Sequence, residues 1–300
     1  MPTSARNACT SASDVPSGAR GVFVDVPGAG CSLDGIWYET PTPARGGVVL
    51  AHGNTMNLAV GAPRFLPPAL VPLGFDCLAY NRRSHDILST RDSRVPVGGA
   101  FQTAAADAED TAAAAAFMAA RAHPAPILIG HSNGGMLTAA FASGRGDLSA
   151  VVLLSAHRGG RDILAVSCAA GHLAGPDLDR VTAEARRLVA AGRGDELMLL
   201  SGWWYVTSAG SFVDRLENTP DLLESAAGIT CPVLFVVGDQ EPPDIYPAHD
   251  FAAAAAGPCD VVIVDDCDHF YRGREDTVAG IVAEWLDTVI PSNSQAKGDS

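Results

Sequence analysis

A serine stands at the centre of the short stretch Gly130-His-Ser-Asn-Gly134, between an apolar run and a helical pattern. In a G-x-S-x-G sequence the two glycines let the chain turn sharply from strand to helix, so the serine side chain stands clear of the sheet. The helix that follows also points free N–H groups at the place where an oxyanion would form. A purely structural turn of small residues is the alternative. In this strand–turn–helix context, the stretch indicates Ser132 as a nucleophile for acyl transfer.

A serine is a weak nucleophile unless a base, and an acid that orients the base, accompany it. A histidine and a group of acids follow two later apolar runs of the chain. His269 comes shortly after the run 261–264, and an acid-rich turn that begins at Gly238 follows the run 233–237. Because the carboxyl ends of parallel strands meet at one edge of a sheet, the order serine, acid, histidine predicts a catalytic triad.

The elements that must position these residues alternate between strand-like and helix-like patterns. The predicted strands lie at 21–26, 33–39, 47–51, 75–80, 126–130, 150–154, 232–237 and 260–264. The predicted helices lie at 63–73, 102–122, 134–142, 246–256 and 275–289. The later strands read as continuous apolar runs, as expected for parallel strands covered on both faces. The pattern therefore predicts an α/β fold with a mostly parallel sheet of about eight strands flanked by helices, which the chain enters through an antiparallel hairpin.

The chain divides by composition into a core, an insertion and two loose ends. Residues 1–18 and 291–300 are rich in Ser, Pro, Ala and Asn, so we expect a disordered N-terminus and a loose tail. The core is predicted at 19–154 and 231–290. The intervening stretch 155–230 shows no strand pattern and is too long for an ordinary connection, so it predicts a small helical cap.

Two helices are predicted inside this cap, at 178–190 and at 195–200. The aromatic residues Trp203, Trp204 and Tyr205 follow the second helix. They either line a substrate pocket or pack the interior of the cap. In either case, we expect the cap to determine the substrate specificity.

These features together resemble the α/β-hydrolase fold family. The matching features are the G-x-S-x-G stretch, the dipeptide His52-Gly53 after an apolar run, the acid-bearing turn Gly-Asp-Gln-Glu and the final Asp-His-Phe. The resemblance covers roughly residues 21–290 and points to the capped, esterase- or lactonase-like branch of the family. It implies that Ser132 is the nucleophile and His269 the base.

The acid is the position at which the chain departs from the family pattern. That turn usually reads G-x-x-D, and counting from Gly238 places Glu241 where Asp is commoner. The resemblance therefore favours Glu241 as the acid. Asp239 and Asp244 in the same turn, and the more remote Asp162, are the alternatives.

The resemblance also implies an oxyanion hole built from two backbone N–H groups, those of Asn54 and Asn133. For the stretch that contains Asn54, the alternative is a glycine turn after a strand. Further candidates for the substrate pocket are His131, next to the serine, and Tyr271, which follows the base by two residues.

Composition limits the partners of the protein. The formal net charge is −14 and the only lysine is Lys297, so clustered cations for nucleic acid or an anionic membrane are lacking. No apolar run reaches the ~18 residues of a membrane helix, and the N-terminus has no apolar signal region. The histidines and cysteines lack metal-ligand spacing, and G-x-G-x-x-G does not occur after the first strand. We expect a cytoplasmic protein of undetermined oligomeric state that acts on a small molecule without a cofactor or metal.

The predicted function is a serine hydrolase that cleaves a carboxylic ester or lactone of a small to medium, uncharged substrate through an acyl-enzyme. Carbon–carbon bond hydrolysis, thioester hydrolysis and acyl transfer use the same triad and stay open at this point, because a fold is compatible with many reactions. A non-catalytic binding protein that retains the fold is the remaining alternative. A binding protein would have no need of a serine, an acid and a histidine together.

Overall fold

The computed structural model of the chain describes residues 19–28, 30–91, 93–201 and 205–291. The expectations for residues 1–18, for Trp203 and Trp204 and for the tail from 292 lie outside these residues.

Eight strands form one sheet in the order β1-β2-β4-β3-β5-β6-β9-β10. Their bounds are β1 Gly21–Pro27, β2 Ser32–Tyr38, β3 Gly46–Ala51, β4 Phe75–Tyr80, β5 Ile127–His131, β6 Ala150–Leu154, β9 Val233–Gly238 and β10 Cys259–Val264. Strand β2 pairs antiparallel with β1 and with β4, and all other pairs in the sheet are parallel. The predicted fold class and the antiparallel entry hairpin are confirmed.

Helices cover both faces of this sheet. Their bounds are α1 Ala62–Phe65, α2 Pro67–Leu70, α3 Ala104–Ala119, α4 Asn133–Ala142, α8 Leu222–Ala226, α9 Ala248–Ala254 and α10 Glu275–Val289. Alternate residues of each central strand face opposite layers: Val48 and Leu50 pack with α1, α2 and α10, whereas Val49 packs with α3, α4, α8 and α9. Burial on both faces explains why β6 and β9 are apolar throughout, and why β5 is apolar up to its last residue, His131.

The described residues of the cap form three α-helices and a two-stranded antiparallel sheet. Their bounds are α5 Ile163–Ala169, α6 Leu178–Ala190, β7 Leu197–Leu199, β8 Val206–Ser208 and α7 Ala209–Asn218. These elements enclose a hydrophobic cluster of their own, separate from the two core layers. Helix α8 packs in the core instead, since Leu222 and Ala226 are fully buried there.

The helix predicted at 195–200 is wrong. Residues Leu197–Leu199 are a strand that pairs with Val206–Ser208, with Leu197 opposite Ser208. Leucine and methionine favour a helix in isolation, but cross-strand pairing overrides a preference of a few tenths of a kcal/mol per residue. The two exposed leucines of β7 alternate with Met198, which packs against the cap cluster.

Side-chain hydrogen bonds join the cap to the segment that precedes α3. Tyr205 Oη donates to the carbonyl of Gly99 over 2.9 Å, and Ser211 Oγ donates to the carbonyl of Gln102 over 2.6 Å. Asp214 Oδ2 accepts the N–H of the first residue of α3 over 2.8 Å. Helix α7 is thereby anchored to the core beside the sheet edge that carries Ser132.

No helix in the described part of the chain has the length and apolarity needed to cross a bilayer.

Candidate active site

Ser132 occupies a sharp turn between β5 and α4. Its backbone has φ 56° and ψ −121°, in the left-handed region of φ that most side chains avoid. Glycine is required on both sides of the turn. A Cβ added at Gly134 would lie 2.3 Å from the carbonyl oxygen of His52, and one at Gly130 would lie 2.4 Å from that of Gly134. The turn therefore holds the serine side chain out from the sheet.

The structure brings Ser132, His269 and Glu241 into one hydrogen-bonded chain. The Nε2 atom of His269 lies 2.9 Å from Ser132 Oγ, and Nδ1 lies 2.6 Å from Glu241 Oε1. A carboxylate can only accept, so Nδ1 carries the hydrogen and Nε2 is left to accept the serine proton. This arrangement can activate a hydroxyl as a nucleophile.

The carboxylate of Glu241 is buried and its second oxygen is also satisfied. Oε2 accepts Ser155 Oγ–H over 2.5 Å and the N–H of Gly238 over 2.8 Å. Because the Ser155 proton points to Glu241, the hydroxyl of Tyr271 donates to Ser155 Oγ over 2.6 Å. Burial first, and then the charge of Glu241, raise the pKa of Tyr271 well above its ordinary value, which keeps this donor protonated.

The other candidate acids lie elsewhere. Asp162, Asp239 and Asp244 are exposed, whereas only 8% of Glu241 is. Asp239 Oδ1 accepts the N–H of Cys267 over 2.9 Å, and that hydrogen bond is the leading cause that lowers the pKa of Asp239. Asp239 thus braces the loop that carries His269 rather than contacting the imidazole.

The two residues expected to form an oxyanion hole line the same cavity as the serine. Asn133 is the first residue of α4, where helix geometry leaves N–H groups without intrahelical acceptors. Asn54 follows β3 and lines the same cavity as Ser132 and Asn133. The loop before Asn54 is held by His52, whose Nε2 accepts the N–H of Arg82 over 3.2 Å and whose carbonyl accepts Arg82 NH2 over 2.5 Å.

The family model of the alpha/beta hydrolase family matches residues 48–281, which is most of the chain. The chain belongs to the alpha/beta hydrolase family. The resemblance drawn from the sequence is therefore confirmed. No curated protein has a matching sequence.

Solved structures share the fold of this α/β-hydrolase at low identity. Est1E from Butyrivibrio proteoclasticus is 17% identical with a TM-score of 0.65, covering 89% of this chain and 98% of its own. A thermostable carboxyl esterase from Bacillus coagulans is 15% identical with a TM-score of 0.66, covering 91% and 99%. Dienelactone hydrolase from Anabaena variabilis is 17% identical with a TM-score of 0.57, also covering 91% and 99%.

A cavity of about 700 Å³ opens above Ser132 between the core and the cap of the hydrolase. Most of its wall is apolar, with side chains from the loops after β3 and β4, from α4, from α5 and the segment that follows it, and from the turn after β9. These include Met56, Ile87, Met136, Leu137, Ile163, Leu164, Leu173, Pro242 and Ile245. The cap end is polar instead, and its Gln102, Asn133, His157 and Arg215 are called the cap-side polar cluster below.

Two residues predicted to line the pocket are placed behind it. Tyr271 is buried beneath Ser155, as described above, and contributes no wall to the cavity. His131 is also buried and donates from Nε2 to the carbonyl of His269 over 2.9 Å. Burial first, and then the electrostatic effect of the neighbouring His269, lower the pKa of His131 to about 3, so its ring stays neutral. Both expectations are corrected: these side chains support the site from below.

Tyr205 does line the cavity, although only 2% of it is exposed and its ring also belongs to the cap cluster. Both interpretations of this aromatic residue therefore hold. The predictions for Trp203 and Trp204 lie outside the described residues.

Apart from Asn133, sequence reasoning missed the residues of the cap-side polar cluster. His157 follows the last residue of β6 by three positions, so the rule that located His269 could also have located it. Tyr246, whose ring centroid lies 4.9 Å from that of His269, was also missed. Gln102 and Arg215 carry no comparable signal, because one precedes a helix and the other lies on a cap helix.

Within the described ranges, no group of three His, Cys, Asp or Glu side chains is arranged to hold a metal ion.

Proposed function

We propose that this α/β-hydrolase cleaves a carboxylic ester or lactone of small to medium size through an acyl-enzyme intermediate. The observation that supports the proposal most strongly is the chain from Ser132 through His269 to the buried Glu241, which opens on a cavity of about 700 Å³. A cavity of this volume accommodates a substrate of drug-like size, and its largely apolar wall suits the body of an acyl or alcohol group.

The first half of the reaction forms the acyl-enzyme. Ser132 Oγ attacks the carbonyl carbon while its proton passes to His269 Nε2 across the 2.9 Å hydrogen bond. Glu241 stabilises the imidazolium that results, since its oxygen lies 2.6 Å from Nδ1. The oxyanion accepts hydrogen bonds from the backbone N–H groups of Asn54 and Asn133, each worth about 10²–10³ in rate in enzymes where such a donor was removed.

Collapse of this intermediate breaks the bond to the alcohol oxygen. His269 gives its proton to the departing alkoxide, which leaves as the alcohol. Water then attacks the acyl-enzyme with His269 as base, and Ser132 recovers its proton as the acid product forms. In a lactone, the departing oxygen becomes a hydroxyl group of the acyl chain itself, so no alcohol leaves and the second step releases a single hydroxy acid.

Solved structures that share this fold support an ester or lactone as the substrate, in preference to a thioester or a carbon–carbon bond. The similar solved structures carry the names carboxyl esterase and dienelactone hydrolase.

A fluorophosphonate probe, which forms a covalent bond with an activated serine, tests the proposal. The wild-type protein should be labelled and should hydrolyse a 4-nitrophenyl ester or a small lactone, whereas Ser132→Ala should do neither. Ser143→Ala, at the other end of α4, is a matched control that should keep its labelling. Labelling that survives in Ser132→Ala would show that another residue is the nucleophile.

A further inference from the structure

The cap-side polar cluster contains a cation without an acidic partner. Arg215 NH2 donates to Gln102 Oε1 over 3.1 Å and to Tyr205 Oη over 3.2 Å, and its guanidinium lies 5.4 Å from the Tyr205 ring centroid. All these partners are neutral. Among the described residues, no carboxylate lies within ion-pair distance of Arg215, and no other arginine or lysine lines the cavity.

The two acids that line this end of the cavity are engaged elsewhere. Asp214 accepts the N–H of Ala104 at the start of α3 over 2.8 Å and Asn218 Nδ2 over 2.8 Å. Asp107 forms a buried ion pair with Arg82, with 3.3 Å between the nearest atoms. The positive charge of Arg215 therefore faces the cavity without a direct counterion.

His157 adds a second donor to the same end. Its Nδ1 accepts the N–H of Gly159 over 3.0 Å. Burial first, and then the electrostatic effects of the neighbouring His269 and Arg215, lower the pKa of His157 to about 3. The ring is neutral, so its single hydrogen resides on Nε2, the atom nearest Asn133.

The amide of Asn133 also presents a donor. Its Oδ1 accepts Gln102 Nε2 over 3.0 Å, which leaves Nδ2 facing His157 Nε2 at 3.5 Å. Gln102 cannot be flipped, because its Oε1 accepts Arg215 while its Nε2 donates to Asp107. Asn133 Nδ2 and His157 Nε2 are thus both donors, so neither can accept a hydrogen bond from the other, and their separation is also too long for a good one.

We propose that the cap-side polar cluster binds a carboxylate of the substrate, so that the preferred ester or lactone is anionic. The guanidinium of Arg215 suits a planar carboxylate, and the N–H groups of His157 and Asn133 supply further donors. This inference rests on the proposed function. It differs from the uncharged substrate that the sequence predicts, because pattern alone could not bring Arg215 into the cavity.

The cluster also sets where the carboxylate would lie. Asn133 adjoins the nucleophile, and hydrogen bonds of 3.0 and 3.1 Å through Gln102 join its amide to Arg215. The carboxylate therefore lies a few bonds from the scissile carbonyl, as in a half-ester of a short dicarboxylic acid. The rest of the substrate is left to the apolar wall.

Two matched esters test the inference: the mono-4-nitrophenyl ester of glutaric acid, and the same ester with the free carboxylate replaced by a carboxamide. We expect the wild type to have a kcat/KM at least tenfold higher for the acid. Arg215→Met should lower the ratio of the two kcat/KM values by about 10- to 100-fold, mainly through KM, as expected for loss of a charge-assisted contact. Arg215→Lys should lower it less.

The ratio is the readout because general damage to the cap lowers both values together. The control is Arg186→Met, which removes an exposed cap arginine paired with Glu217 on α7 and should keep the wild-type ratio. Equal kcat/KM for the two esters in the wild type, or an unchanged ratio in Arg215→Met, would overturn the inference while fluorophosphonate labelling upholds the proposed function. If the wild type neither labels nor hydrolyses either ester, the proposed function fails and the inference with it.

Discussion

The Ser132–His269–Glu241 chain and the cap-side polar cluster are neighbours in one cavity but are built differently. Each member of the chain stands just after a parallel strand, and its place is fixed by backbone: by a left-handed turn at Ser132 and by the N–H of Gly238 on Glu241. In the cluster, side-chain hydrogen bonds through Gln102 join a core helix to a cap helix, and His157 is held separately by the N–H of Gly159. The comparison teaches that the sheet positions the proposed catalytic chain, while the contact between core and cap positions the proposed carboxylate site.

Removal of the base should have the largest effect on the chemistry. His269→Ala should lower kcat by about 10⁴–10⁶, the range seen when a triad member is removed from a serine hydrolase. The fold should be retained, because the imidazole is a partly exposed group above the sheet. Steady-state kinetics with a circular dichroism spectrum would check both points. Turnover close to that of the wild type would remove His269 as the base.

The identity of the acid gives the next largest effect. Glu241→Gln should lower kcat by about 10²–10⁴, because an amide cannot stabilise the imidazolium as a carboxylate does. Asp239→Asn is the matched control in the same turn, and its effect should stay within about tenfold, since its carboxylate only accepts the N–H of Cys267. If the control were crippled and Glu241→Gln were active, the assignment of the acid would be reversed.

The cap-side polar cluster should make the protein sensitive to acid. The pKa of His157 is about 3 in the folded protein and ~6.5 in an unfolded chain, so protons favour unfolding between these values. The stability that neutral His157 contributes is complete above pH 6.5 and is lost as pH falls towards 3.

Urea unfolding at pH 6.5 and at pH 4 would measure this contribution. The drop in the free energy of unfolding between the two pH values should be smaller in His157→Asn than in the wild type, by on the order of 3 kcal/mol. Parallel pH dependences in the two proteins would contradict the predicted role of His157.

Removing the Tyr271 hydroxyl, which supports Glu241 through Ser155, should have the smallest effect. Tyr271→Phe removes the hydroxyl that donates to Ser155 Oγ, which in turn donates to Glu241. The loss of one neutral hydrogen bond, two steps from the imidazole, should lower kcat by about 2- to 10-fold with little change in KM. A rise in KM at constant kcat would instead place Tyr271 in substrate binding.

Most of the core could be predicted from the sequence, because strands buried on both faces appear as continuous apolar runs. Strands such as β9 are apolar at every position, and the turn at Ser132 tolerates only glycine on either side. The hairpin of β7 and β8 could not be predicted in the same way. Its pairing joins residues 197–199 to 206–208, and its local composition favours a helix.

The two parts of the site differ likewise in how far the sequence predicts them. Strand ends locate Ser132, Glu241 and His269, and the same rule would have reached His157. Arg215 could not be reached, because its contact with Gln102 joins residues 113 positions apart on elements without a shared pattern. His131 and Tyr271 were misplaced because proximity along the chain does not reveal on which side of the catalytic loop a ring is buried.

The anchoring of the cap has a consequence for how this protein can change over evolutionary time. Gln102 holds the cap through its carbonyl, which accepts Ser211 Oγ, and joins the proposed carboxylate site through its amide. Tyr205 likewise donates to Gly99 and contacts Arg215. Gln102 and Tyr205 thus both fasten the cap and contact the proposed carboxylate site. A substitution of Gln102 or Tyr205 that altered substrate preference would therefore also weaken the attachment of the cap to the core. New specificities should arise more readily from substitutions along the apolar wall of the cavity.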